Sequence, residues 1–215
     1  MSHETRQRQA MIEACLGMNA SGLNQGTSGN VSIRFEGRML ITPSAVPYEA
    51  MSPEMIASMD LSDDMNDAFD GPNKPSSEWR FHWKILKARP EFNAIVHAHS
   101  PFCTTLAVLR KPIPACHYMV AAFGGADVRC AGYAPFGTEA LAELALAAME
   151  GRNACLLANH GMIVAGKTME QAMWRAVELE TLARQYCQAL SLGDPVILSE
   201  AEIDDTLRRF DGYGV

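Results

Sequence analysis

Positive charge is scarce in this sequence. Lysine and arginine together number 18 against 25 aspartates and glutamates, which gives a formal net charge of −7 over 215 residues. The chain has no basic stripe that could neutralise the phosphates of a nucleic acid, so we expect no nucleic-acid partner. The charge of an anionic substrate would have to be met locally, by a metal ion, backbone N–H groups or a few arginines.

The sequence also lacks long apolar runs and closely paired cysteines. No run approaches the ~18 apolar residues of a transmembrane helix, and the polar N-terminus lacks the apolar core of a signal peptide. The six cysteines are scattered without a Cys-x-x-Cys pair, and several lie in apolar runs, as small buried side chains do in a reducing compartment. We therefore expect a cytoplasmic protein without a membrane partner.

The remaining composition is that of an ordinary globular protein, with 48% hydrophobic and 20% charged residues. Its length allows one substantial core, which predicts a single domain over residues 1–215. Strand-like runs at 31–34 and 39–42 flank a hairpin signal, Glu36-Gly37, and similar runs alternate with helical patterns along the chain. Hairpins rather than regular crossovers favour an α/β fold with one layered domain, in which helices flank a central, mostly antiparallel sheet.

The last long helix has the clearest start signal. Thr168 and Gln171 have the spacing of a capping box, which predicts a helix from this point. Its predicted inner face consists of Met173, Trp174, Val177, Leu182 and Tyr186.

Two histidines in one strand-like run are the strongest chemical signal. His97 and His99 are two residues apart among β-forming residues, so their imidazoles are expected on the same face of a strand. His160 lies in a second apolar run that is broken by a turn. Three neutral nitrogen ligands with an open fourth position are typical of catalytic zinc. The alternative is a set of core histidines satisfied by hydrogen bonds, but the paired pattern favours a metal.

Three segments of small residues are typical of anion-binding sites. They are the glycine-rich loop 26–30, the strand end 42–45, and the pair Ser76 and Ser77 before a predicted helix. Any one of them alone is more often a turn or a helix cap. All three together, in a chain with a candidate metal site, favour a phosphorylated substrate.

Glu78 is predicted in the first turn of the helix that follows Ser77, and it allows two interpretations. It could be a carboxylate that complements the helix dipole, or a general acid/base beside the metal and the phosphate. Its distance from His97 depends on the tertiary structure, so spacing leaves both open. His82, one helical turn further on, is expected to be a packing or orienting residue rather than a ligand.

Several segments, taken in order, resemble the class II aldolases of the L-fuculose-1-phosphate aldolase type, within the wider aldolase–epimerase–adducin-head superfamily. The matching segments are LNQGTSGNVS (23–32), LITPSAVPYE (40–49), PSSEWRFH (75–82), VHAH (96–99), IPACHYM (113–119), NHG (159–161) and RFDGYG (209–214). Agreement over so many segments is far more specific than any single motif.

The resemblance implies a role for each matching residue. It implies zinc ligands at His97, His99 and His160, with Mn²⁺, Co²⁺ or Fe²⁺ as substitutes for Zn²⁺, and a catalytic acid/base at Glu78. It implies a phosphate pocket formed by Gly29, Asn30, Ser44, Ala45, Ser76 and Ser77. Tyr118 matches a tyrosine that protonates the aldehyde oxygen from a neighbouring subunit, and Tyr213 matches a second tyrosine on the substrate side. Members of the family are homotetramers with active sites at subunit interfaces.

One residue departs from the family pattern. Ala45 occupies a position where the family often has glycine. If the backbone there has a positive φ, alanine is strained and the phosphate contact is shifted.

The implied reaction is the zinc-dependent retro-aldol cleavage of a ketose 1-phosphate to dihydroxyacetone phosphate and a short aldehyde. L-Fuculose 1-phosphate, 5-deoxyribulose 1-phosphate and 5-methylthioribulose 1-phosphate are the expected types of substrate, and the sequence does not choose among them. A Schiff-base mechanism is disfavoured, because the lysines mostly lie in polar contexts.

Other activities of the same fold are alternatives. They are a pentulose-phosphate 4-epimerase, a methylthioribulose-phosphate dehydratase and a sugar-acid phosphate decarboxylase. The epimerases have an acidic residue where this chain has His117-Tyr118, which argues against that activity. A non-catalytic module resembling the adducin head would have lost the metal ligands, and here they are all present.

Overall fold

The computed structural model describes residues 1–62 and 64–210, so Tyr213 lies outside the described residues. The strands are β1 (Asn30–Phe35), β2 (Arg38–Ile41), β3 (Ala57–Asp60), β4 (Ala94–Ala98), β5 (Ile113–Pro114), β6 (Asp127–Val128), β7 (Cys130–Ala131), β8 (Ala154–Leu157) and β9 (Gly161–Gly166). The α-helices are α1 (His3–Ala20), α2 (Trp79–Ala88), α3 (Pro101–Val108), α4 (Glu139–Ala148), α5 (Met169–Leu192) and α6 (Glu200–Phe210).

The main sheet has seven strands in the order β3-β2-β1-β4-β9-β8-β7. Every neighbouring pair in it is antiparallel except β7 and β8, which are parallel. Strands β5 and β6 form a separate two-stranded antiparallel ladder. The predicted fold class, an α/β layer structure with a mostly antiparallel central sheet, is confirmed.

Helices cover both faces of this sheet. The side chain of Val96 in the central strand β4 packs into a core shared with α1, α3 and α5, whereas that of Ile95 packs into a second core with α2 and α4. Successive residues of a strand point to opposite faces, so a strand covered on both sides is apolar throughout. All five residues of β4 are buried accordingly. His97 lies in this strand with no exposed surface.

The turn between β1 and β2 is the predicted hairpin. Phe35 pairs with Arg38, so Glu36 and Gly37 are the two loop residues. Both have a positive φ, 48° and 78°, which is the conformation that matches the right-handed twist of the flanking strands.

The start of α5 agrees with the sequence prediction, whereas its buried face and the presence of α6 do not. Helix α5 begins at the predicted cap, where the Thr168 side chain accepts a hydrogen bond from the backbone N–H of Gln171. Trp174 and Val177 were predicted on its inner face, but 38% and 45% of their surfaces are exposed. Ala172 and Ala176 are among the residues that form the buried face instead. Helix α6 was not predicted. Its charged sequence buries a single side chain, that of Ile203.

Within the residues that the structure describes, no helix combines the length and the apolar character needed to cross a membrane.

Candidate active site

Three histidines meet at one end of the central strands. His97 lies in β4, His99 follows the end of that strand, and His160 lies in the turn between β8 and β9. Strand β4 pairs with β9, which brings the turn before β9 next to the end of β4. The imidazole centroids are 5.0 Å apart for His97 and His99, and 4.9 Å apart for each of the other two pairs. The pairing of the strands therefore brings three histidines that are distant in sequence into contact distance of one another.

Glu78 completes this cluster. Its Oε1 lies 3.0 Å from His160 Nε2 and its Oε2 lies 3.2 Å from His97 Nε2. One ligand atom from each of Glu78, His97, His99 and His160 falls within 4.8 Å of the others. The sequence prediction placed Glu78 in the first turn of a helix, whereas it is the residue before the first turn of α2. This position directs its carboxylate towards the histidines rather than along the helix surface.

The polar atoms of the cluster are close together but are not satisfied by one another. Glu78 Oε1, His97 Nε2 and His99 Nε2 are buried and have no hydrogen-bond partner among the described residues. Leaving such atoms unpaired costs about 1–3 kcal/mol each. Atoms that converge without forming hydrogen bonds are positioned around a common centre. Three imidazole nitrogens and a carboxylate oxygen are ligands of the kind that Zn²⁺ binds, so the donor set fits a divalent cation.

The protonation of the cluster suits a metal site. His97 Nδ1 lies 2.8 Å from the carbonyl oxygen of Met162, which can only accept a hydrogen bond, so Nδ1 carries a proton and Nε2 is the nitrogen that faces Glu78. Burial, assisted by the neighbouring His97 and His160, lowers the pKa of His99 to about 4. Burial by itself would raise the pKa of Glu78, but the adjacent His97 and His160 lower it further than burial raises it. The cluster thus contains a neutral His99 and an ionised Glu78, which are the forms in which these side chains bind a metal.

Two local features hold the ligands in place. At the His160 turn, Asn159 has a φ of 56°, and a Cβ on Gly161 would lie 2.5 Å from the carbonyl oxygen of Ala98. Only glycine allows this close approach, which places His160 beside the end of β4. On the other side, the Glu180 carboxylate accepts hydrogen bonds from Ser100 Oγ, Phe102 N and Cys103 N at 2.7, 2.8 and 2.9 Å. It caps α3 immediately after His99.

A cavity of about 360 Å³ opens beside the cluster. Its lining includes all six residues of the predicted phosphate pocket, namely Gly29, Asn30, Ser44, Ala45, Ser76 and Ser77. Glu78, His99 and His160 line the same cavity. The fold therefore brings three separate small-residue segments to one surface next to the candidate ligands.

The backbone at Ala45 has a φ of 58°, the left-handed conformation that glycine tolerates best. An alanine there carries about 1–2 kcal/mol of conformational strain. The strain expected from the glycine-to-alanine departure is therefore present at the edge of the cavity.

Two aromatic cavity residues were missed by sequence reasoning. Tyr133 and Phe136 line the cavity, and 58% and 68% of their surfaces are exposed. Both belong to the irregular segment between β7 and α4, which also contains Gly132, Pro135 and Gly137. The sequence signal that could have indicated them is the presence of two large aromatic residues in a segment rich in glycine and proline.

Other predicted residues lie elsewhere. Tyr118 begins a 3₁₀ segment (Tyr118–Phe123), is 51% exposed, and is not among the described residues that line the cavity of its own chain. His82 is fully buried and hydrogen-bonded to Ser32 and Asn30 rather than placed in the cluster. This agrees with its expected orienting or packing role.

Comparison with known proteins gives consistent results. Residues 9–187 match the family described as Class II Aldolase and Adducin N-terminal domain. The 5-methylthioribulose-1-phosphate/5-deoxyribulose-1-phosphate aldolase of Rhodospirillum rubrum is 49% identical over 96% of this chain and 92% of its own. The L-fuculose phosphate aldolase of Escherichia coli K12 is 45% identical over 95% of this chain and 94% of its own. A solved L-fuculose 1-phosphate aldolase has a TM-score of 0.91 at 37% identity, with 98% of both chains covered.

The chain belongs to the class II aldolase family. Class II aldolases depend on a metal ion, and the Glu78–histidine cluster could hold one. The predicted enzyme class is confirmed, since the relatives it matches across nearly their whole length are aldolases.

Proposed function

We propose that this enzyme cleaves a ketose 1-phosphate to dihydroxyacetone phosphate and a short aldehyde, with Zn²⁺ as its metal. The observation that carries the proposal is the convergence of His97, His99, His160 and Glu78 on one centre beside a cavity lined by hydroxyls and an amide. The names of the aldolase relatives, which refer to ketose phosphates, support the same substrate class.

His97, His99 and His160 would hold the metal ion, and Glu78 lies close enough to serve as a further ligand. Mn²⁺, Co²⁺ or Fe²⁺ could replace Zn²⁺, because imidazole and carboxylate ligands suit several divalent ions. When bound, the ion supplies a Lewis acid that polarises the substrate carbonyl and offsets the negative charge that develops as the carbon–carbon bond breaks.

Two protons move during the cleavage. The hydroxyl that becomes the aldehyde oxygen loses its proton, and the carbon left by bond breaking gains one. Glu78 lines the cavity and is assigned the proton at carbon. In the direction of synthesis, the ionised Glu78 removes the proton from carbon and the Tyr118 hydroxyl donates its proton to the aldehyde oxygen. Cleavage reverses both transfers, so no proton is gained or lost overall.

The phosphate group is assigned to Gly29, Asn30, Ser44, Ala45, Ser76 and Ser77. Among the described residues that line the cavity there is no lysine or arginine. Binding therefore relies on hydroxyl, amide and backbone N–H donors, as the acidic composition of the chain suggested. The start of α2, just after Ser77, adds the positive end of a helix dipole.

The aldehyde end of the substrate is assigned to Tyr133 and Phe136, the exposed aromatic residues of the cavity wall. Aromatic surface favours an apolar substituent such as a methyl or methylthio group. This fits L-fuculose 1-phosphate, 5-deoxyribulose 1-phosphate and 5-methylthioribulose 1-phosphate alike, because each ends in a methyl or methylthio group.

We assign the active form to a homotetramer with active sites at its subunit interfaces, in the cytoplasm. The half-exposed position of Tyr118, away from the cavity-lining residues described in its own chain, supports its delivery to the site of a neighbouring subunit. Tyr213 is proposed as a second substrate-side tyrosine on sequence resemblance alone.

Kinetics with the three ketose 1-phosphates tests this proposal. Dihydroxyacetone phosphate is followed by a coupled assay, and the second product is identified by mass spectrometry. We expect dihydroxyacetone phosphate and an aldehyde in equal amounts. An epimerised sugar, a dehydrated sugar or carbon dioxide as the product would instead indicate an epimerase, dehydratase or decarboxylase of the same fold.

A further inference from the structure

A buried chain of hydrogen bonds lies behind Glu78. Ser32 Oγ is 2.7 Å from His82 Nδ1, His82 Nε2 is 2.5 Å from Asn30 Oδ1, and Asn30 Nδ2 is 3.0 Å from Glu78 Oε2. The four side chains come from β1, α2 and the residue before α2. All four residues are at most 6% exposed, so water cannot replace these bonds.

The direction of every bond in this chain follows from the carboxylate. An ionised Glu78 can only accept, so the Asn30 amide must direct its NH₂ group at Glu78 and its oxygen at His82. The amide oxygen also only accepts, so His82 Nε2 carries a proton. In a neutral imidazole Nδ1 is then the acceptor, and Ser32 Oγ donates to it. Donors and acceptors are matched at every step in this one arrangement.

We propose that His82 is a positioning residue that acts through Asn30 to orient the carboxylate of Glu78. Without the Nε2–H of His82, the Asn30 amide could rotate by half a turn and present its oxygen to the Glu78 carboxylate. Two acceptors would then face each other, and the carboxylate would turn away from its position between His97 and His160.

The surroundings of His82 support this role. Its ring stacks on Phe81 at 4.7 Å between centroids, which fixes the plane of the imidazole. Both ring nitrogens are used within the chain, one towards Ser32 and one towards Asn30. A side chain that only filled space could be apolar at this position. A side chain that connects Ser32 to Asn30 by hydrogen bonds needs an acceptor on one side and a donor on the other, which a neutral imidazole provides.

The inference rests on the proposed role of Glu78, and the first test does not depend on activity. In metal-loaded enzyme labelled with ¹⁵N-histidine, two-bond ¹H–¹⁵N correlation spectra report which ring nitrogen carries the proton. We expect His82, assigned by comparison with the His82→Gln spectrum, to be the Nε2–H tautomer. The Nδ1–H tautomer would overturn the proposal even if the enzyme is fully active.

The second test separates positioning from packing. His82→Leu removes the donor, and His82→Gln restores an N–H close to the position of Nε2. Loss of a residue that orients a ligand group typically lowers activity about 10- to 100-fold. We expect that loss in kcat for the leucine variant, with unchanged KM and metal content, and recovery of most of the rate in the glutamine variant.

His3→Leu makes the same change at an exposed histidine on α1 and should leave kcat unaltered. Equal rates in the two His82 variants would overturn the positioning role. A wild-type enzyme that cleaves no ketose 1-phosphate would contradict the proposed function, while the tautomer measurement would still decide the hydrogen-bond chain.

Discussion

Glu78 and His160 face each other with 3.0 Å between Oε1 and Nε2, yet Glu78 Oε1 has no hydrogen-bond partner among the described residues. A carboxylate in this position can exchange between two tasks. It can contribute to the metal site when no substrate is present, and it can move a proton once substrate oxygens occupy the centre. The two tasks require different properties of the side chain, so they can be separated by substitution.

Replacing Glu78 by glutamine should stop turnover without emptying the metal site. The amide keeps the shape of the side chain but cannot accept and return a proton, and loss of general acid/base function typically costs 10²–10⁴-fold in rate. Three histidine ligands remain. Steady-state kinetics and elemental analysis of the same preparation check both parts. A Glu78→Gln enzyme with near-normal kcat would reduce Glu78 to a helix-start carboxylate.

Removal of the metal should destabilise the protein. The buried nitrogens and the carboxylate oxygen would be left unpaired, and a ligand present at 100 times its dissociation constant stabilises the folded form by about 2.7 kcal/mol. We expect a chelator to lower the Tm of wild-type enzyme. The His160→Gln variant is the control, because its Tm should already be lower and should respond little to chelator. Identical Tm values for wild type with and without chelator, at one metal ion per chain, would contradict this account.

The strain at Ala45 predicts a stabilising substitution in the phosphate pocket. Ala45→Gly relieves the left-handed conformation at φ 58° and should raise the free energy of unfolding by about 1 kcal/mol. Ala147→Gly, an exposed position in the last turn of α4, is the matched control and should lower it, because glycine is a poorer helix former than alanine. Urea unfolding measures both. A loss of stability in both variants would show that the Ala45 conformation carries no strain.

The proposed shared active site predicts complementation between two inactive variants. Tyr118→Phe should lower kcat far more than it weakens substrate binding, because the hydroxyl acts mainly when charge develops on the aldehyde oxygen. Mixing it with Glu78→Gln and allowing subunits to exchange should restore part of the activity, since some interfaces would pair an intact Tyr118 with an intact Glu78. Unmixed variants carried through the same exchange are the controls. No recovery after verified exchange would place Tyr118 within its own subunit's site or in a structural role.

The sequence predicted those parts of the site that depend on local periodicity. The proximity of His97 and His99 could be predicted because strand residues two apart share a face, and their ring centroids are 5.0 Å apart. The proximity of Glu78 to His160 could not be predicted, because it results from the packing of α2 against the sheet. Tyr133 and Phe136 were missed because the sequence does not state which loop side chains face a cavity.

The fold shows the same division between local and tertiary information. The hairpin at Glu36 and Gly37 follows from turn chemistry, and the start of α5 follows from its threonine cap. The outward position of Trp174 does not follow from its size or hydrophobicity. It depends on how closely the alanine-rich face of the helix packs on the sheet, which is a property of the assembled core.

Dihydroxyacetone phosphate release tests the central claim most directly. Wild-type enzyme is assayed on L-fuculose 1-phosphate, 5-deoxyribulose 1-phosphate and 5-methylthioribulose 1-phosphate, first as purified, then after chelation, then after Zn²⁺ is restored. We predict release of dihydroxyacetone phosphate that is lost with the metal, regained with Zn²⁺ and at least about 100-fold slower in Glu78→Gln throughout. Cleavage that persists in fully metal-free enzyme, or no cleavage of any ketose 1-phosphate by zinc-loaded enzyme, would contradict the proposed reaction.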